Sequence, residues 1–260
     1  MRRFHALAAG IALIAAGWAL AQQAPTGYTS GERRSGFTFL TKETQALQND
    51  DFANPGLLWV EQGEGLWRTA AADGKSCRSC HGEATAMRGV AAKYPAYAAD
   101  AGRVVNLEQR INLCRGQQSL PPLPYESQEL LAITALVSRQ SLGMPVTVAV
   151  DGPAAQSFAN GRVAYETRRG QLDQSCAGCH DANVGARLRG EVISQGQING
   201  FPVYRQLWQT MGSSHRMFAW CNDAVRAEAY ALGSQEYVDL ELFVRWRGRG
   251  LPVEAPAVRR

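Results

Sequence analysis

Apolar and polar positions alternate along this chain mostly at helical spacing. Gly63-x-x-x-Trp67 and Gly161-x-x-x-Tyr165 each read as one face of an amphipathic helix. Each places a small residue where another helix crosses closely and sets an aromatic one turn on, against the core. Two longer helices are predicted from Ser127 to about Ser141 and from Ser234 to about Arg247. Each begins with a serine suited to an N-cap and carries a glutamate in its first turn. A shorter helix is predicted near Thr41–Gln48, inside a polar stretch from Gln22 to about Asp51. Strand signals are sparse: Val146–Val150 has strand character but runs into the turn Asp151-Gly152-Pro153. The predicted fold is mainly α.

The pattern also repeats. Tyr94-Pro95-Ala96-Tyr97 answers Phe201-Pro202-Val203-Tyr204, and Ser127-Gln128-Glu129 answers Ser234-Gln235-Glu236, all at an offset of 107. Gly143-Met144-Pro145-Val146 answers Gly250-Leu251-Pro252-Val253 at the same offset. This reads as an internal duplication. It gives two tandem domains, 52–150 and 151–260, behind an N-terminal extension, 22–51; each holds one Cys-x-x-Cys-His motif, the attachment signature of c-type haem, which marks both as cytochrome c-like.

The amino terminus bears on compartment. Met1-Arg2-Arg3 precedes an apolar run from Ala6 to Leu20, and Ala19-Leu20-Ala21 has the form of a cleavage site. The run is shorter than the ~20 residues of a membrane span. Residues 1–21 are therefore expected to be a signal peptide removed after Ala21, leaving a periplasmic protein without a membrane anchor. Cleavage would lower the formal charge from +4 to +2. Such a balance, with no basic cluster, argues against nucleic acid as a partner.

Six cysteines carry the candidate chemistry. Cys77-Arg78-Ser79-Cys80-His81 and Cys176-Ala177-Gly178-Cys179-His180 are both Cys-x-x-Cys-His. In that motif two thiols form thioethers to haem and the histidine supplies an axial nitrogen to iron. Two covalently bound haem c groups are expected, on Cys77 and Cys80 and on Cys176 and Cys179, with His81 and His180 as axial ligands. The motifs are offset by 99, so the second copy carries eight extra residues between Asp181 and Gly200. Cys114 and Cys221 remain, and they match at 107. In an exported chain they could form a disulfide, and Cys114 could complete a zinc site with Cys77, Cys80 and His81. Neither Met87, Met144, Met211 nor Met217 has a methionine opposite it in the other copy. The matched pair therefore favours Cys114 and Cys221 as the second axial ligands. Thiolate ligation donates electron density to iron and favours the ferric state. An iron-bound cysteine is then a sulfur nucleophile beside an electron acceptor, which suits chemistry on sulfur.

With these residues in view, the chain resembles the SoxA subunits of SoxAX cytochromes. The likeness rests on the two haem motifs with Cys114 and Cys221, and on the tail from Val225-Arg226-Ala227-Glu228 through Leu240-Glu241-Leu242 to Arg245-Trp246-Arg247. It implies an L-cysteine S-thiosulfotransferase that couples thiosulfate oxidatively to a cysteine of a SoxYZ-like sulfur carrier. It also implies a heterodimer with a small SoxX-like cytochrome c, which receives the electrons. Cys221 would be the catalytic cysteine, present as a persulfide, and the first haem would be secondary.

The repeat singles out cations near Cys221. Arg216 stands opposite Gln109, Arg226 opposite Ser119 and Arg247 opposite Gln140. These three are candidate anion contacts, since guanidinium matches an oxyanion edge bidentately. His215 could join them, although a core role is the commoner one for such a histidine. Two other readings compete. A dihaem electron carrier needs no anion site, and a dihaem peroxidase needs distal acid–base groups for which no matching histidine is left.

Overall fold

The computed structural model describes residues 28–71 and 74–260. The expected signal peptide, residues 22–27 of the extension, and residues 72 and 73 lie outside that range.

Two pairs of crossed helices organise the chain. After the short strands β1 (Thr29–Ser30) and β2 (Arg33–Arg34) and helix α1 (Lys42–Asn49) comes α2 (Leu57–Arg68). The first haem motif forms α3 (Cys77–His81), followed by the hairpin β3 (Ala96–Ala98) and β4 (Arg103–Val105) and by α4 (Leu107–Gln117) and α5 (Gln128–Arg139). Next come α6 (Ala155–Glu166), α7 (Cys176–His180) and the hairpin β5 (Arg187–Leu188) and β6 (Glu191–Val192). The chain ends with β7 (Val203–Arg205), β8 (Thr210–Gly212), α8 (Ser214–Ala224), α9 (Gln235–Arg247) and β9 (Ala257–Arg259). Among the described residues no helix is long and apolar enough to cross a membrane.

Helix α2 packs across α5, and α6 packs across α9. The two predicted glycines sit at the crossings. A Cβ on Gly63 would overlap the Ala132 carbonyl and lie 2.9 Å from Leu136 Cβ. One on Gly161 would overlap the Asp239 carbonyl and lie 2.9 Å from Phe243 Cβ. Trp67 and Tyr165 are buried one turn further on. Ser127 and Ser234 cap α5 and α9, their hydroxyls accepting from Leu130 N and Tyr237 N. Positions 130–138 of α5 are all buried, so this helix is core on every side. At ~1.5–3 kcal/mol for each large apolar side chain removed from water, such helices supply much of the stabilisation.

Helices α4 and α8 carry the two isolated cysteines. Asn106 and Ser213 cap them by accepting from Gln109 N and Arg216 N. Each helix is preceded by an antiparallel hairpin, with Ala96 opposite Val105 and Val203 opposite Gly212. The second hairpin also takes up β9, parallel to β7, giving the sheet order β8-β7-β9. Arms of two or three residues carry too few positions for an alternating pattern, which is why these strands are silent in the sequence.

Val146–Val150, which looked strand-like, forms no strand. Val146 instead exchanges backbone hydrogen bonds with Leu251 and Gly250, and Thr147 N donates to Ala92 O. Val146 and Val148 fill the core beside Val253.

The extension is strapped to the second half of the molecule. Gln48 Oε1 accepts from Val258 N at 3.1 Å, Asn54 donates to Pro256 O at 3.1 Å, and Ser35 donates to Glu254. Buried polar groups join the two helix pairs. Asn106 donates to Glu241 at 3.0 Å, and His215 Nε2 lies 2.9 Å from the same carboxylate. Arg245 donates to Ile198 O at 2.7 Å and Ala91 O at 3.0 Å.

Candidate functional site

The second Cys-x-x-Cys-His motif is a single helical turn capped by Ser175, whose hydroxyl accepts from Gly178 N at 3.0 Å. The turn presents Cys176, Cys179 and His180 on a half-buried surface. Its histidine is fixed in orientation. His180 Nδ1 lies 2.8 Å from the Ser194 carbonyl, so the ring donates there and Nε2 is left free. Gly196 closes over the ring, and a Cβ at that position would stand 2.8 Å from His180 Cγ. Tyr165 donates to Asp181 at 3.1 Å beside the motif. Burial lowers the affinity of His180 for a second proton despite the Ser194 contact, keeping the imidazole in the neutral form that ligates metals.

Cys221 lies on α8 close to this turn. Burial pushes its thiol up to about 12, with Cys176 and Cys179 near enough to raise it further and Arg205 opposing them. Burial likewise pushes Cys176 up to about 11. The residues fit haem c: two thiols for thioethers, one nitrogen held toward a free coordination position by Ser194, and one buried sulfur that metal binding would deprotonate. None of the six cysteines is in a disulfide.

The first site is built from matching parts. Ser76 and Ser79 form a capping box on α3, Trp67 donates to Gly82 O at 2.9 Å, and the His81 ring lies 5.9 Å from the Trp67 ring. Burial raises the Cys77 thiol, which also feels Cys114 and Cys80. This turn is more open, with Cys80 and His81 both exposed. Among the described residues no three His, Cys, Asp or Glu side chains cluster to hold a metal ion by themselves.

The predicted arginines separate in space. Arg216 extends from α8 over the Trp208 ring, 4.3 Å from its centroid, and donates to Met211 O at 3.4 Å. Arg247 is bound by Asp181 through two contacts, one at 3.1 Å, and lies over Tyr165 at 4.3 Å. With His180, Asp181 and Trp246 it lines a cleft of about 350 Å³ on the histidine side. Arg226 is exposed at the end of α8, in the left-handed region with φ 55°, and reaches only Gln171, at 3.5 Å. Its counterpart Ser119 has φ 58°, so that position serves helix termination whatever its side chain. His215 is fully buried, accepting from Gly233 N at 3.1 Å.

Sequence reasoning missed the cation whose charge reaches Cys221. Arg205, on β7, is 7% exposed and donates to both oxygens of Glu191, at 3.2 and 3.3 Å. Its other nitrogen lies 3.6 Å from Met217 Sδ, one helical turn before Cys221. The offset comparison that picks out Arg216 sets Arg205 against Ala98 and would have found it, since Arg205 lies nearer to Cys221 in sequence than Arg247 does.

Comparison with known proteins gives a consistent picture. A family model described as SoxA/TsdA, cytochrome c domain, matches residues 62–146. An L-cysteine S-thiosulfotransferase subunit SoxA from Rhodovulum sulfidophilum is 46% identical, the match covering 88% of this chain and 80% of that protein. The corresponding subunit from Pseudaminobacter salicylatoxidans is 42% identical, over 91% of this chain and 84% of its own. The crystal structure of SoxXA from P. pantotrophus contains a chain that superposes with a TM-score of 0.85 at 39% identity, covering 88% of this chain and 87% of that one.

Proposed function

Since this chain belongs to the SoxA family of L-cysteine S-thiosulfotransferase subunits, we propose that it couples thiosulfate to a cysteine of a SoxYZ-like carrier, with Cys221 as the sulfur that reacts. It is a thiosulfate-oxidation cytochrome c of this family. We read it as two haem domains, 52–150 and 151–260, arisen by duplication, and as exported to the periplasm after loss of residues 1–21. Its partner is a small SoxX-like cytochrome c in a heterodimer, by analogy with the SoxXA protein of P. pantotrophus. Two haem c groups are held by Cys77, Cys80, His81 and Cys114, and by Cys176, Cys179, His180 and Cys221. At the second site haem supplies an electron acceptor next to the reacting sulfur.

One observation supports the assignment to the second site: both thiols of its haem motif and the buried cation Arg205, which touches Met217 one turn before Cys221 on α8, lie near enough to shift the Cys221 thiol. The chemistry divides into two transfers. The Cys221 thiolate joins the outer sulfur of thiosulfate, forming Cys221–S–S–SO₃⁻ as two electrons leave for the partner cytochrome. The carrier thiolate then attacks the outer sulfur, forming carrier–S–S–SO₃⁻ and releasing Cys221 as thiolate. A persulfide sulfur already on Cys221 can play the same part. We read Arg216 as the sulfonate contact, although the Glu126 carboxylate lies 4.0 Å from it, with Arg226 and Arg247 as lesser candidates: Arg226 reaches Gln171, and Arg247 is committed to Asp181.

The test is a reconstituted reaction of holoprotein, partner cytochrome, carrier and thiosulfate. The carrier cysteine should gain a thiosulfonate group, with two electrons delivered per group. Cytochrome reduction that proceeds unchanged without the carrier would favour the plain electron carrier instead.

A further inference from the structure

Arg205 is held in place on three sides. Glu191 grips it from the β5–β6 hairpin, and Trp208 and Trp220 each place a ring centroid 5.4 Å from its guanidinium carbon. Met217 supplies a sulfur contact from α8. Yet Arg205 Nε is buried without a hydrogen-bond partner, and so is Trp208 Nε1. Unpaired buried donors are costly, on the order of 1–3 kcal/mol each; Arg110, Arg245 and Arg247 also leave Nε unpaired, so it is the adjoining Trp208 indole N–H that points to an acceptor here. Arg216 covers the same indole at 4.3 Å, so one tryptophan is flanked by two cations next to the turn of α8 that bears Cys221.

The first half of the chain has a partial counterpart: Arg110, one helical turn before Cys114, donates to both oxygens of Asp100 at 2.8 Å and also leaves its Nε buried without a partner. At the offset of 107, Arg205, Trp208 and Trp220 face Ala98, Ala101 and Leu113. Glu191 lies in the loop that is eight residues longer in the second copy. In the first copy that loop holds only two 3-10 turns, Ala84–Met87 and Ala91–Lys93. A carboxylate-braced arginine thus stands near each isolated cysteine, and what Cys221 has in addition is the pair of indoles, Trp208 and Trp220, that flank its cation.

We propose that Arg205, braced by Glu191 and backed by Trp208, is a positioning residue that holds an oxyanion of the thiosulfate class against Cys221. This rests on the thiosulfate-coupling reading of the second site. A buried guanidinium locked by a carboxylate pays its side-chain ordering before substrate arrives. Its charge acts on Cys221, the sulfur where negative charge concentrates when thiosulfate approaches a thiolate. The brace also reduces the net charge of the pair, so that release of a singly charged thiosulfonate product is not impeded.

The test uses oxidised holoprotein and thiosulfate without carrier or partner cytochrome, with binding measured by calorimetry and the second haem's reduction potential by spectroelectrochemistry. Arg205→Gln should weaken thiosulfate binding at least ~10-fold and lower the potential, because a cation that favours the added electron is gone. Glu191→Gln should raise the potential, since it removes the opposing charge. Arg205→Lys should retain most of the potential and recover part of the binding. A merely structural pair would shift the potential in one direction in both variants, and that result would overturn the inference. So would Arg205→Gln holoprotein that binds thiosulfate as the parent does while the parent couples it to the carrier; the functional reading would then stand alone. A parent holoprotein that neither binds nor couples thiosulfate would overturn both.

Discussion

Gly161 on α6 lies against the carbonyl of Asp239 on α9, with no room for a side chain between them. The Asp239 carboxylate accepts from Asn160 at 3.0 Å and Gln235 at 2.7 Å at the same crossing. Intrinsic propensity alone would make alanine better than glycine within a helix by roughly 0.5–1 kcal/mol. Here the crossing reverses the sign. Gly161→Ala is expected to force α6 off α9 at a cost of about 1–3 kcal/mol or more, lowering the midpoint in a denaturant titration. Ala substitution at the exposed Gly65, where a Cβ meets nothing within 4 Å, should leave the midpoint unchanged or raised.

Helix pairs of this kind were legible in the sequence because a crossing demands a small residue and an aromatic at fixed spacing. The caps Ser127 and Ser234 were legible for the same reason, as each needs a hydroxyl at one position. Each Cys-x-x-Cys-His motif forms one helical turn opened by a serine cap, Ser76 or Ser175, directly before its first cysteine. Arg205 and Glu191 were not legible, because their meeting depends on how β7 and the short β5–β6 hairpin fold together. Arg247 was drawn toward Cys221 by proximity in the aligned copies, whereas its side chain turns to Asp181 beside His180.

Stability should depend on pH through Glu108. Burial, the neighbouring Glu241 carboxylate and Glu126 push its carboxyl up to about 8, with Arg245 opposing. An unfolded glutamate titrates near ~4.3, so between those values the native state keeps a proton that the unfolded chain has lost. The contribution of Glu108 is therefore fully present below ~4.3 and is lost as pH rises through about 8. Glu108→Gln should flatten this slope and be more stable than the parent at pH 8 than at pH 5. Each kcal/mol gained would read as ~2–4 °C in thermal unfolding. An unchanged difference across that range would contradict the assignment.

Arg216 and Arg247 should behave differently on substitution. Arg216→Ala removes a cation beside Trp208 and is expected to cost ~2–4 kcal/mol in kcat/KM for thiosulfate, with the haem spectrum unaltered. Arg247→Ala frees Asp181 next to His180, so its main effect should be on the second haem's spectrum and on thermal stability. Steady-state kinetics and absorption spectra of the two variants, measured in parallel, separate these outcomes.

The central claim is that sulfur transfer occurs at Cys221 and not at its counterpart Cys114. The direct measurement compares Cys221→Ala with Cys114→Ala in one thiosulfate- and carrier-dependent coupling assay, with haem content verified by mass. Cys221→Ala should abolish thiosulfonate formation on the carrier while the thioethers at Cys176 and Cys179 remain. Cys114→Ala should alter the spectrum of the first haem and retain most of the activity. Equal losses in the two variants, or continued coupling by Cys221→Ala, would contradict the account.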